Sequence, residues 1–135
     1  MIAKACGARV KTAPVKEIGW SEVNLTEEGR SDRLFHGVPE NLPVLQWHED
    51  TFDLPYKGVL LATSKECPHQ AFRYKNAYGL QFHVEVTCDM LYEWFCESGN
   101  RERILKQFRE KEQDYALRAE QIYRNFISLA MNRID

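Results

Sequence analysis

The chain has 135 residues, a length that suits one domain able to bury a core without disulfides or metal. Hydrophobic residues make up 44% and charged residues 28%, and the formal net charge is −2. This balance argues against disorder and leaves no electrostatic footprint for nucleic acid or an anionic membrane.

Residues 1–7, MIAKACG, read as the back end of a helix stopped by Gly7. No cap or turn residue stands ahead of them, so this helix is expected to start before residue 1. The stretch ARVKTAPVKEIGWSEVNLT (8–26) is rich in β-branched and aromatic residues. Ile18 and Trp20 fall on one face and Val23 and Leu25 on the other, which a bulge or bend near Gly19 would reconcile. TEEGRSD reads as a turn, and SDRLFHGVPENLP as one short helix capped by Ser31 and ending around Gly37. Strands come next at PVLQWH (43–48), GVLLAT (58–63), QAFRYK (70–75) and GLQFHVEV (79–86), with a hairpin turn between Asn76 and Gly79. The unbroken apolar run in GVLLAT suits a strand buried on both faces.

From Asp89 the apolar period becomes helical: Met90, Leu91, Trp94 and Phe95, then Ile104, Leu105 and Phe108, then Tyr115, Ala119, Ile122, Phe126 and Leu129. Residues 98–100, Ser-Gly-Asn, separate the first stripe from the second. The expected fold class is α/β or α+β: a strand-rich sheet with two or three C-terminal helices. The supply of covering helices at the N-terminal side is short. Uncovered sheet surface and free strand edges would favour a homodimer. No apolar run approaches the roughly 18–20 residues needed to span a bilayer, so no membrane partner is expected. The N-terminus lacks the apolar stretch of a signal peptide, and the cytoplasm is the default location.

Two His-x-acid pairs stand out, His83/Glu85 and His48/Asp50. On extended backbone, residues i and i+2 point to one side, so a carboxylate can accept from an imidazole N–H, fix its tautomer and raise its basicity. A satisfied structural hydrogen bond is the plainer reading of either pair. Together the four side chains could form a two-histidine, two-carboxylate metal site. The four cysteines, Cys6, Cys67, Cys88 and Cys96, have no spacing that suggests a zinc site or a disulfide framework. Cys67 near His69 is a loop thiol without other signs of a nucleophile, and Cys88 comes after His83 without opening a helix after a tight turn.

The pairs lie in longer motifs. GLQFHVEVT (79–87) resembles the G-x-Q-F-H-P-E-x-T of the class I glutamine amidotransferases, of the type similar to the amidotransferase domain of GMP synthase. QWHEDTFDLP (46–55) is similar to that family's Q-W-H-G-D-T-F, and LLA (60–62) and QAFR (70–73) sit where the family has L-L-A-x-S and Q-A-F-R. Asn125 and Phe126 fit its final helix. The resemblance implies a flavodoxin-like domain with a mixed sheet, of which residues 1–135 would be the C-terminal part. It also implies glutamine as substrate, no cofactor and no metal.

The family hydrolyses glutamine through a Cys-His-Glu triad. Carried over, His83 is the base, Glu85 its orienter, and Trp47, His48 and Glu49 line the glutamine pocket largely through their backbone. Val84 replaces the usual proline and Glu49 the usual glycine, the latter adding negative charge where a substrate carboxylate approaches. The nucleophile elbow, G-x-C-x-G-x-Q, has no counterpart here. MIAKACGARV (1–10) matches only the helix after it, so the domain is expected to be truncated before Met1, with the N-terminal half and the nucleophile missing. The chain is then expected to be inactive alone. Alternatives are a non-catalytic dimeric or partner-binding scaffold, and a metal-dependent hydrolase on His48, Asp50, His83 and Glu85.

Overall fold

The computed structural model describes residues 2–131; Met1, part of the first helical reading, lies outside them. The fold is mixed α/β. A short helix α1 (Ile2–Ala5) runs to Gly7 and is succeeded by strand β1 (Val10–Leu25). Helix α2 (Glu27–Ser31) and a 3-10 turn (Arg33–Phe35) lead to β2 (Asn41–Phe52), β3 (Val59–Thr63), β4 (Ala71–Tyr74) and β5 (Ala77–Leu80). Helices α3 (Cys88–Trp94) and α4 (Arg101–Met131) complete the described chain. The strands form one sheet in the order β2-β1-β3-β4-β5, and each of its pairs is antiparallel.

Several local expectations are corrected. β1 is irregular at residues 13–16, where four residues oppose Glu49 alone, and its register runs unbroken through Gly19. Gly19 itself has a positive φ of 105°, so the backbone is locally irregular where the bend was expected, although the pairing continues across it. Glu17, Val23 and Leu25 are buried on one face, while Trp20 on the other packs on Phe108 and Tyr115 of α4 at ring separations of 6.1 and 5.7 Å. The segment read as a turn is helix α2, capped by Thr26, whose Oγ1 accepts from Gly29 N at 3.0 Å. Asp32 rather than Ser31 caps the 3-10 turn, accepting from Leu34 N at 2.9 Å. Each cap needs a short hydroxyl or carboxylate just before the first free N–H groups.

The hairpin turn lies two residues earlier than expected, with Tyr74 paired to Ala77 and Lys75 at φ 51°. Gly79 is inside β5, opposite Phe72, and a Cβ there would stand 2.1 Å from the Phe72 ring. This glycine of the GLQFH motif is therefore a packing device, which lets a fully buried phenylalanine lie flat over its neighbour strand. Residues 81–87 are not strand. They bend away from β5, with one isolated backbone bridge to the sheet, Leu45 to His83, and a side-chain bond from Gln81 to Asp50 of β2.

One apolar cluster joins the sheet (Val23, Leu42, Leu61) to Phe35, Phe82 and the far half of α4. A second joins Leu45 and Val86 to α3 and the near half of α4. The second and third helical stripes belong to one helix, because nothing between Phe108 and Tyr115 stops it; α4 spans about 46 Å at 1.5 Å per residue. Each large side chain it buries contributes on the order of 1.5–3 kcal/mol, enough to hold α4 against the sheet along its length.

Candidate active site

The bend at 81–87 is what makes the site. His83 N donates to Leu45 O at 2.9 Å, fixing the backbone against β2. The side chain then turns so that His83 Nδ1 meets Glu85 Oε1 at 2.6 Å. The other carboxylate oxygen, Oε2, accepts from Val84 N at 2.9 Å. The hydrogen bond from His83, which outweighs the opposing cost of burial, holds the Glu85 carboxyl below the usual glutamate range. A carboxylate can only accept, so Nδ1 carries the proton, and Nε2 is the nitrogen left for chemistry.

Trp94 of α3 stands edge-on to the His83 ring with centroids 5.2 Å apart, and Trp94 in turn packs on Trp47 of β2 at 4.4 Å. His83 opens on a groove of about 450 Å³ lined also by residues 47–52, Leu80 and Gln81. The two sequence motifs thus share one groove, and a direct bond ties them: Gln81 Nε2 donates to Asp50 O at 2.9 Å.

Of the expected pocket residues, Trp47 lies half-exposed on the groove wall, and Glu49 is exposed on its rim in an ion pair with Lys16 from the β1 bulge. His48 is different. Its Nδ1 contacts the backbone oxygen of Asp50 at 3.1 Å, not the Asp50 carboxylate. Its Nε2 lies 3.0 Å from Glu17 Oε2, with the two side chains 8% and 7% exposed, though out of line for a hydrogen bond. The contact is an ion pair only when the ring is protonated. Behind it, Gln70 Nε2 donates to Glu17 Oε2 at 3.0 Å and to Ser64 Oγ at 2.9 Å, and Gln46 Nε2 donates to Gln70 Oε1 at 3.0 Å. The side chains of His48, Asp50, His83 and Glu85 do not assemble into one metal set; among the described residues no group of three or more His, Cys, Asp or Glu is placed to hold an ion.

The cysteines lie elsewhere. Cys67 is buried against Thr51 Oγ1 at 3.3 Å, and Cys96 is exposed. Cys88, against expectation, is the first residue of a helix, α3, because Thr87 caps it. None of the four lines the groove beside His83. Two residues of the site passed as core in the sequence. Trp94, which packs on His83, sat in an apolar stripe, and so did Tyr115, whose hydroxyl accepts from Val86 N and donates to His83 O, both at 3.1 Å. A tyrosine where phenylalanine would fill the same space is the available signal, since a buried hydroxyl needs a partner.

An α/β domain with a histidine–glutamate pair on an open groove has the parts of a base and its orienter, the pair used by nucleophile–histidine–acid hydrolases. The chain belongs to the class I glutamine amidotransferases: the family described as Glutamine amidotransferase class-I matches residues 1–91. A glutamine amidotransferase-like protein of Salmonella typhimurium is 39% identical over 90 residues, covering 66% of this chain and 38% of that protein. A glutamine-hydrolyzing GMP synthase subunit of Methanosphaera stadtmanae is 35% identical over 89 residues, covering 64% of this chain and 46% of that protein. The crystal structure of a glutamine amidotransferase from Methylobacillus flagellatus superposes with a TM-score of 0.81 at 24% identity, over 95% of this chain and 58% of that one, and so shares the fold. The chain spans less than half the length of these curated relatives.

Proposed function

We propose that this chain supplies the general base and its orienter for hydrolysis of the side-chain amide of glutamine, with residues 1–135 forming the C-terminal part of one amidotransferase domain. The observation that carries this reading is the 2.6 Å contact between His83 Nδ1 and Glu85 beside the groove that the two motifs share. In this reading Nε2 of His83 takes the proton of a cysteine thiol, and the thiolate attacks the amide carbon. His83 then returns the proton to the departing nitrogen, which leaves as ammonia, and the resulting thioester is hydrolysed by water. Glu85 stabilises the imidazolium that forms between these transfers.

In this reading the thiol comes from outside residues 2–131, which is supported by the absence of a described cysteine from the groove lining. The same reading has the chain by itself without glutamine turnover. Trp47 and the backbone of residues 47–49 form the glutamine side of the groove, and Lys16 offsets the charge that Glu49 brings to its rim. The Methanosphaera relative is named as one subunit of its synthase, which supports a separate protein chain as acceptor of the ammonia. The edge strands β2 and β5 give a second copy of the chain a surface to pair with, a separate proposal that light scattering decides.

The test is a titration of the labelled chain with glutamine, read by amide shifts, alongside an assay for ammonia. Shifts confined to residues 47–50, Gln81 and His83, with ammonia at background, are expected. Shifts absent from that groove would overturn the binding assignment. Turnover that disappears in His83→Ala would overturn the inertness of the isolated chain.

A further inference from the structure

The segment that carries the catalytic candidates has little structure of its own. Residues 81–87 contain no strand or helix; Gln81 at their start is tied to Gln70 O and Asp50 O, and at His83 the sheet holds the backbone through the Leu45–His83 bridge. Something else must keep the His83 ring at the groove and Glu85 against it. From the middle of α4, Tyr115 reaches this segment. Its hydroxyl donates to the backbone oxygen of His83 and accepts from the backbone N–H of Val86, each at 3.1 Å. One oxygen therefore spans the short stretch in which Glu85 lies.

We infer that Tyr115 is a positioning residue for the His83–Glu85 pair: its hydroxyl clamps the backbone on both sides of Glu85 and sets the reach between carboxylate and imidazole. This rests on the reading of His83 and Glu85 as base and orienter. Tyr115 lies beyond residues 1–91, the part that matches the family, so α4 supports the site from outside that part.

The anchor itself is rigid. The Tyr115 ring meets Trp20 edge-on at 5.7 Å and Phe108 at 5.6 Å, in a cluster that also contains Val86 and Leu91. A phenylalanine would keep this packing and lose only the clamp. Burial pushes the ionisation of this hydroxyl above the usual phenol range, so it is protonated at neutral pH. It can therefore donate and accept at once at neutral pH. Small shifts matter here: base and orienter must be held to within a fraction of an ångström, and a hydrogen bond lengthened beyond about 3.5 Å no longer fixes a tautomer.

The experiment is nitrogen-edited NMR of the histidine rings in the wild-type chain, in Tyr115→Phe and in Phe108→Leu. In Tyr115→Phe the protected Nδ1–H signal of His83 is lost or broadened and the Val86 amide exchanges at least tenfold faster, while the dispersed spectrum of the fold persists. Phe108→Leu loosens the same cluster without touching the hydroxyl, and leaves the His83 signal in place. A sharp, protected His83 Nδ1–H in folded Tyr115→Phe would overturn the inference, as would equal loss in Phe108→Leu. Should Tyr115→Phe not fold, meta-fluorotyrosine at position 115 keeps the ring and weakens the hydroxyl as an acceptor. It must then shift both the Val86 amide and the His83 ring signal, and no shift in either would overturn the inference. Glutamine turnover enters none of these readings, so failure here is separable from failure of the proposed function.

Discussion

His48 and His83 each stand two residues before a carboxylate, and the fold treats them in opposite ways. His48 lies on β2, a regular strand, where positions i and i+2 are about 6.6 Å apart along the chain. There its ring turns inward to Glu17 and the backbone of Asp50 and is only 8% exposed. His83 lies on a bent segment where the chain shortens and the longer glutamate folds back on the ring, while the ring stays partly open to the groove. The same sequence pattern is thus a structural anchor in one place and a candidate base in the other. Backbone form and side-chain length decide which, rather than the pair of residue types.

The largest effect that sharpens this contrast is on stability. His48→Ala should cost about 3 kcal/mol by urea unfolding, since it removes a buried ring and leaves its place beside Glu17 empty. It should leave the ring signals of His83 unchanged. Gln70→Leu comes next, at about 2 kcal/mol. It leaves Gln46 Nε2 and Glu17 without their shared partner inside the sheet. His83→Ala should cost under about 1 kcal/mol, as expected for a partly exposed side chain whose proposed role is chemical. If His83→Ala destabilised the fold as much as His48→Ala, the contrast between anchor and base would break.

The smallest effect concerns pH. The folded-state pKa of Glu85 is depressed by the hydrogen bond from His83, so its contribution is present above the unfolded value near 4.5 and is lost as pH falls through the folded value. Because the carboxylate is about half exposed, solvent screening keeps the contribution below about 0.5 kcal/mol. Glu85→Gln should remove that part of the acid dependence. Unfolding curves at pH 7 and below pH 4 should therefore converge slightly in the variant. An unchanged difference would mean that the pair does not form in solution.

Much of this was legible before the structure. The strands at residues 43–48 and 58–63, the apolar stripes of α3 and α4 and the break at residues 98–100 are consequences of period and spacing, while the meeting of His83 with Glu85, expected on extended backbone, occurs on a bend instead. The misses share a cause, in that long-range packing overrode a local signal. Gly79 looked like turn chemistry and is inside a strand because Phe72 lies over it. Residues 81–86 alternate like a strand, yet Leu45, Tyr115 and the cap at Thr87 draw them into a bend. The glutamines of the motifs gave no chemical signal, because Gln46 and Gln70 find each other and Glu17 only once the sheet has formed. Tyr115 was placed in the core correctly, but its hydroxyl contacts across 32 residues could not be read from helical spacing.

The central claim is that Glu85 holds the proton on Nδ1 of His83 and leaves Nε2 for proton transfer. It is tested most directly by the ring-nitrogen spectrum of His83 at neutral pH, in the wild-type chain and in Glu85→Ala. The account expects an Nδ1–H tautomer with a protected, downfield proton that vanishes in Glu85→Ala while the signals of His48 persist. An Nε2–H tautomer, or a His83 signal indifferent to the loss of Glu85, would contradict it.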